Sequence, residues 1–264
     1  MRLRIAVTLL LLVAGTVQTS RGSDKEWLGS TGQRTRAEIF RSADAGAHPV
    51  LVVVLHGDLG GLTFFAANAT EQIHGIVAAA LIRPGYTDNA GDTSDGTRGR
   101  AFGDNYTPEV LNQLDAAIHQ LMAELHPSGV VLVGHSGGAA ISADLLARDN
   151  SLAKAALLLS CPCDVSAWRK HMNTLRPNPL WNAPVTSVSP MDVVDKISPK
   201  ARISLMVGEK DTTAPPEFTQ EYASALRKHG IEPKVTVLPG LDHERIVSDS
   251  AAMQELSRLV REVR

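Results

Sequence analysis

The chain has 264 residues, 26 Lys+Arg against 28 Asp+Glu, and 44% hydrophobic side chains. That is enough apolar material for a sizeable core, and the charge balance speaks against a disordered chain or a nucleic-acid partner. Two cysteines exclude a disulfide-dense scaffold, and 4% aromatics argue against a carbohydrate-binding platform.

Arg2 and Arg4 precede an apolar stretch, Ile5 to Val17, which gives way to small and polar residues, Thr19, Ser20 and Gly22. This is the pattern of a signal peptide, with cleavage after Gly22 and Ser20 at the −3 position. The expected domain plan is a leader over 1–22 and one domain over 23–264. The mature chain is expected to be exported, periplasmic or secreted, with no stable membrane association. An uncleaved leader would instead anchor it, although 13 apolar residues are short for a span.

Strands then alternate with helices. Residues 35–41 alternate as a short strand. Val50 to Leu55 (VLVVVL) is a continuous apolar run, as expected of a strand buried on both faces. A second such run covers 75–82. Residues 87–104 form a long Gly/Asp/Asn/Thr-rich loop. Thr107-Pro108 reads as an N-cap followed by proline at the first helical position, and Leu111, Leu114, Ile118, Leu121 and Leu125 continue an amphipathic helix. Residues 129–133, 155–159, 203–207 and 235–238 read as further strands. Helices are expected at 139–147, around Phe218, Tyr222 and Leu226, and at the C-terminus from Met253 to Val263. Residues 161–200 break the alternation with six prolines, as a cap over a site would. The pattern predicts an α/β fold with a mostly parallel sheet covered on both faces, where ligands meet the carboxyl ends of the strands.

Directly after the strand at 129–133 stands Gly134-His135-Ser136-Gly137-Gly138, a G-x-S-x-G sequence at a strand-to-helix turn. Such a turn exposes the serine hydroxyl and brings strand and helix too close for a Cβ at 134 or 138. A serine nucleophile needs a base and an orienting acid. Asp211 follows the strand at 203–207, and His243 follows the one at 235–238. Glu209 and Asp242 are rival acids. Adjacency to His243 counts against Asp242. An oxyanion hole is expected from the N–H groups of Gly137 and Asp58, with Leu59 as the fallback for the second donor. The Asp58 carboxylate must then point away from the hole.

With these residues in place, the chain resembles the α/β-hydrolase superfamily. His56-Gly57, Arg83-Pro84-Gly85-Tyr86, the Ser136 elbow, Gly208-Glu209-Lys210-Asp211 and Asp242-His243 occur in that family's order across about residues 35–264. The stretch from Ser189-Pro190 to His243 is also similar to the catalytic domains of prolyl oligopeptidase-like enzymes, whereas the elbow and the Arg-Pro-Gly-Tyr segment look more like small esterases. The resemblance implies a serine hydrolase cleaving a small ester without any cofactor. Peptide or amide hydrolysis is the alternative. A non-catalytic binding protein on the same fold is a further one, favoured only by a damaged triad.

Cys161 and Cys163 are expected as two packed thiols near the site rather than a bridge, because so small a ring is strained. Asp88, Asp92 and Asp95 do not match a calcium loop and are expected in a solvated one. His119 and His126 show no ligand spacing, and no metal site is expected. His171 is expected near the pocket. Trp168, Leu175, Leu180, Trp181 and Val185 are expected to make a stiff apolar cap that bounds the pocket.

Overall fold

The computed structural model describes residues 22–264; the expected leader lies outside the described residues, apart from Gly22. The chain order is β1 (Asp24–Leu28), β2 (Thr35–Arg41), β3 (Val50–Leu55), α1 (Thr63–Gln72), β4 (Ile76–Leu81), α2 (Pro108–Leu125), β5 (Gly129–His135) and α3 (Gly137–Arg148). It continues with β6 (Ala155–Leu159), α4 (Val165–Leu175), α5 (Pro190–Val193), β7 (Arg202–Gly208), α6 (Pro216–Lys228), β8 (Lys234–Leu238) and α7 (Ser250–Val263).

The strands form one eight-stranded sheet in the order β1-β2-β4-β3-β5-β6-β7-β8. Pairing is parallel from β4 across to β8, while β2 joins β1 and β4 antiparallel. This is the mostly parallel α/β architecture that the apolar runs predict. The runs are continuous because both faces are covered. In β3, Leu51, Val53 and Leu55 join the core beneath α2, α3 and α6, whereas Val50, Val52 and Val54 join the one beneath α1 and α7.

The helices begin and end where local chemistry directs. The Thr107 side chain accepts from the Val110 N–H to cap α2, and His126 closes that helix at φ 45°. Asp249 caps α7, whose apolar face carries Leu256, Leu259 and Val260. The central pair β3 and β5 lines up Leu55 with Gly134, so both strands deliver their next residues to the same end of the sheet. Among the described residues no helix is long and apolar enough to cross a membrane.

Candidate active site

At the carboxyl end of β5 the chain turns sharply. Ser136 sits at φ 52°, ψ −122°, and α3 starts at the next residue. A side chain in this region costs roughly 1–2 kcal/mol, so the surrounding packing must impose it. The packing is tight: a Cβ on Gly134 would lie 2.2 Å from the Gly138 carbonyl oxygen, and one on Gly138 would lie 2.1 Å from that of Leu55. Both glycines are therefore required, as the motif predicts. Ser136 is half-buried and faces a cavity of about 510 Å³ that it shares with His243.

His243 Nδ1 lies 2.8 Å from Asp211 Oδ2, and the other carboxylate oxygen accepts from the N–H groups of Thr213 and Ala214. Burial pushes the Asp211 carboxyl up, but the bond and charge of His243 and the Ala214 N–H outweigh it, leaving the acid below its ordinary value. The two rival acids are engaged in turns. Asp242 accepts from the Arg245 N–H and Glu209 from the Gly240 N–H. His135 donates through Nε2 to the His243 carbonyl at 2.8 Å, and the two rings stack 4.8 Å apart. Burial, with help from the neighbouring His243, pushes His135 down to about 4, so it stays neutral.

On the other side of Ser136 lies the turn after β3. A Cβ on Gly57 would stand 3.1 Å from that of Ser136. The Asp58 carboxylate is turned to the fully buried Arg83, 2.9 Å away, and accepts from the Tyr86 hydroxyl at 3.1 Å. Its charge is thus met by a guanidinium and a phenol. Arg83 also donates to the His56 carbonyl and lies against the rings of Tyr86 and Tyr106. His56 accepts the Arg83 backbone N–H at Nε2 and meets the Gly57 carbonyl through Nδ1–H; burial and the adjacent guanidinium push it down to about 3. A Cβ on Gly137 would fall 2.8 Å from the Tyr106 hydroxyl and 3.0 Å from an Arg83 nitrogen, so α3 starts hard against this cluster. The sequence singles out Arg83 only through the family resemblance. An arginine closing an apolar run was the available signal for a buried charge.

From the segment 161–200, Trp168 and Arg176 line the cavity, and one expectation in this segment is corrected. Cys161 and Cys163 are joined in a disulfide with Cα atoms 5.1 Å apart. Residues two apart can make this reach when the residue between them, here Pro162, is bent enough to hold the Cα atoms within the range a disulfide spans. Beyond it, Asp164 caps α4 by accepting from the Ala167 N–H. Trp168 is the one aromatic of the expected cap to line the cavity, and its indole N–H donates to the Thr213 carbonyl, tying the cap to the loop of Asp211. Trp181 packs edge-on against Trp168 and beside Phe102, while Leu175 and Leu180 remain exposed. His171 bonds to the Thr212 carbonyl, outside the cavity lining.

A metal-ligand geometry does arise at the opposite end of the sheet, where the sequence predicts none. Asp115 and His119 of α2 meet Asp149 after α3, with donor atoms within 4.8 Å of one another. His119 is already bonded to Asp149 at 3.0 Å and the group is partly exposed, so it reads as a surface ion network.

The comparisons with known proteins agree with this geometry. Residues 78–261 match the model of the prolyl oligopeptidase family. Acylaminoacyl peptidase of Pyrococcus horikoshii superimposes with a TM-score of 0.67 at 13% identity, over 91% of this chain and 40% of that one. Est1E of Butyrivibrio proteoclasticus gives 0.66 at 15% identity, over 90% and 98%. These two share the fold. The kynurenine formamidase of Drosophila melanogaster is 30% identical over 151 residues, 52% of this chain and 50% of that protein. The chain thus spans half of that curated relative and two fifths of the peptidase. By the extent of the family match and the sheet that carries it, the chain belongs to the prolyl oligopeptidase family of α/β-hydrolases.

Proposed function

We propose that the protein is a serine hydrolase that cleaves carboxylic esters through a covalent acyl-enzyme. Ser136 attacks the carbonyl carbon while His243 takes the hydroxyl proton. The N–H groups of Gly137 and Asp58 bind the oxyanion, and His243 then hands the proton to the leaving oxygen. Water repeats the sequence on the acyl-enzyme and releases the acid. Asp211 holds His243 in the tautomer that presents Nε2 to the serine. Arg83 and Tyr86 keep the Asp58 carboxylate from opposing the oxyanion.

The observation that carries this reading is the 2.8 Å Asp211–His243 pair opening on the same cavity as a serine at φ 52°. A cavity of about 510 Å³ suits small or medium acyl groups. A second reading, hydrolysis of amides or peptides, is favoured by the family match and by the formamidase relative. Export after removal of the leader accords with the Cys161–Cys163 disulfide, since such bonds persist in oxidising compartments.

The test is a panel of p-nitrophenyl esters from acetate to palmitate, aryl formamides and aminoacyl amides, together with labelling by a fluorophosphonate. Ester turnover should peak at short or medium chains, and Ser136→Ala should abolish both turnover and labelling. Amide turnover alone would promote the second reading. Labelling that survives Ser136→Ala would remove the serine assignment. A folded protein that is neither labelled nor active would be a binding protein on a hydrolase fold.

A further inference from the structure

The cavity at Ser136 has an uneven distribution of charge. Three cations reach it from three separate elements: Arg176 at the end of α4, Lys210 in the turn after β7 and Arg245 in the turn after β8. Their side chains have neither a hydrogen bond nor an ion pair among the described residues. This contrasts with Arg36, Arg83, Lys234 and Arg258, each of which faces a carboxylate. The acids that line the same cavity are differently placed. Asp58 is neutralised from behind by Arg83, and Asp242 spends an oxygen on the Arg245 N–H. The lining carries three cations and three carboxylates, and because Asp58 already has Arg83 as its partner, the imbalance is one of pairing and not of net charge.

The sheet order adds direction. Strands β6, β7 and β8 lie on one side of β5, and β3 lies on the other. All three cations therefore stand on the side of His243, away from the turn of Asp58. A neutral acyl chain needs no such arrangement, and unpaired cations at the rim of a cleft raise the local concentration of anions there.

We infer that the natural substrate is an ester or amide carrying an anionic group, a carboxylate or a phosphate, which Arg176, Lys210 and Arg245 receive on the His243 side of the cavity. This rests on the serine-hydrolase reading of the site. The anion is held by charge, and the cations are exposed, so its effect is moderate and sensitive to salt.

Three fluorophosphonates of equal length, ending in a methyl ester, a carboxylate or a phosphate, test this on the full protein. At low salt the better anionic probe should label Ser136 about tenfold faster than the neutral one. The advantage should shrink at about 0.5 M salt. It should fall to near unity in the triple variant Arg176→Gln, Lys210→Gln, Arg245→Gln, with the single variants read in the same way if the triple one does not fold. Which anionic probe leads identifies the group. Equal or slower labelling by both anionic probes, or an advantage that the variants retain, would overturn the inference. Failure of all three probes to label Ser136 is a different result, and it removes the hydrolase reading together with the inference that rests on it.

Discussion

Ser136 and Ser160 stand at the carboxyl ends of adjacent strands, β5 and β6, both at positive φ, 52° and 50°. Each donates its amide to the next strand in the sheet, Ser136 to Leu159 and Ser160 to Met206. From that point they diverge. Ser136 is followed by two glycines and the first turn of α3, and it faces the cavity. Ser160 is followed by the Cys161–Cys163 disulfide and is fully buried. Left-handed backbone at a strand end is therefore no signature of reactivity. The chain that follows decides whether the side chain meets substrate and a base.

The sharpest way to break this comparison is to remove what addresses Ser136. Asp211→Asn should lower kcat by roughly 10³–10⁴, because the imidazole loses the partner that fixes its tautomer. Asp242→Asn, which touches only a turn, should lower it by less than about threefold. Both are read by ester turnover alongside circular dichroism, and equal losses would assign the acid wrongly.

Acid should separate the two ends next. His135 and His56, at the ends of β5 and β3, are held near 4 and 3 against an ordinary 6.5. Both folded values lie below the unfolded one, so the unfolded chain takes up protons first. Their stabilisation is full above about pH 6.5 and is lost as pH falls toward 4, at up to about 2.7 kcal/mol per pH unit for two protons. No histidine lies in the 160–163 turn. Urea midpoints between pH 7 and pH 4.5 should fall accordingly, and His135→Gln should flatten the slope.

The smallest effect compares the serines directly. Glycine relieves a positive φ at roughly 1–2 kcal/mol and costs about 0.5–1 kcal/mol in unfolded-chain entropy. Ser136→Gly and Ser160→Gly should each gain on the order of 0.5 kcal/mol in urea unfolding. Only the first should abolish turnover; the second removes a hydroxyl beside Asp211 and should lower it slightly, and equal losses would end the distinction.

The sheet was legible from the sequence wherever a strand is buried on both faces, because VLVVVL admits few other readings. The elbow and the order of Ser136, Asp211 and His243 were legible because Ser136 and Asp211 stand just past such strands and His243 follows the edge strand β8. β1 was not, since DKEWL is a partly exposed edge strand whose charges hide its period. Neither α1, behind a glycine-rich turn, nor α4, inside the proline-rich segment, carries a clear period against its flanks. The sequence favoured Asp211, but setting Glu209 aside needed the turn hydrogen bonds, and the disulfide needed the 5.1 Å separation of its Cα atoms. Both are facts of geometry that spacing does not encode.

The elbow also has a history in time. Leu55 and Gly134 are register partners, and the Leu55 carbonyl presses on Gly138, yet 79 residues (134 − 55) separate the two partners along the chain. A helix such as α2 can form within about a microsecond, whereas parallel pairing of distant strands must first pay for closing a long loop. The turn that bends Ser136 into shape is thus no local motif and matures only once β3 has found β5. Before that pairing this serine is ordinary, and its special geometry arrives together with the completed sheet.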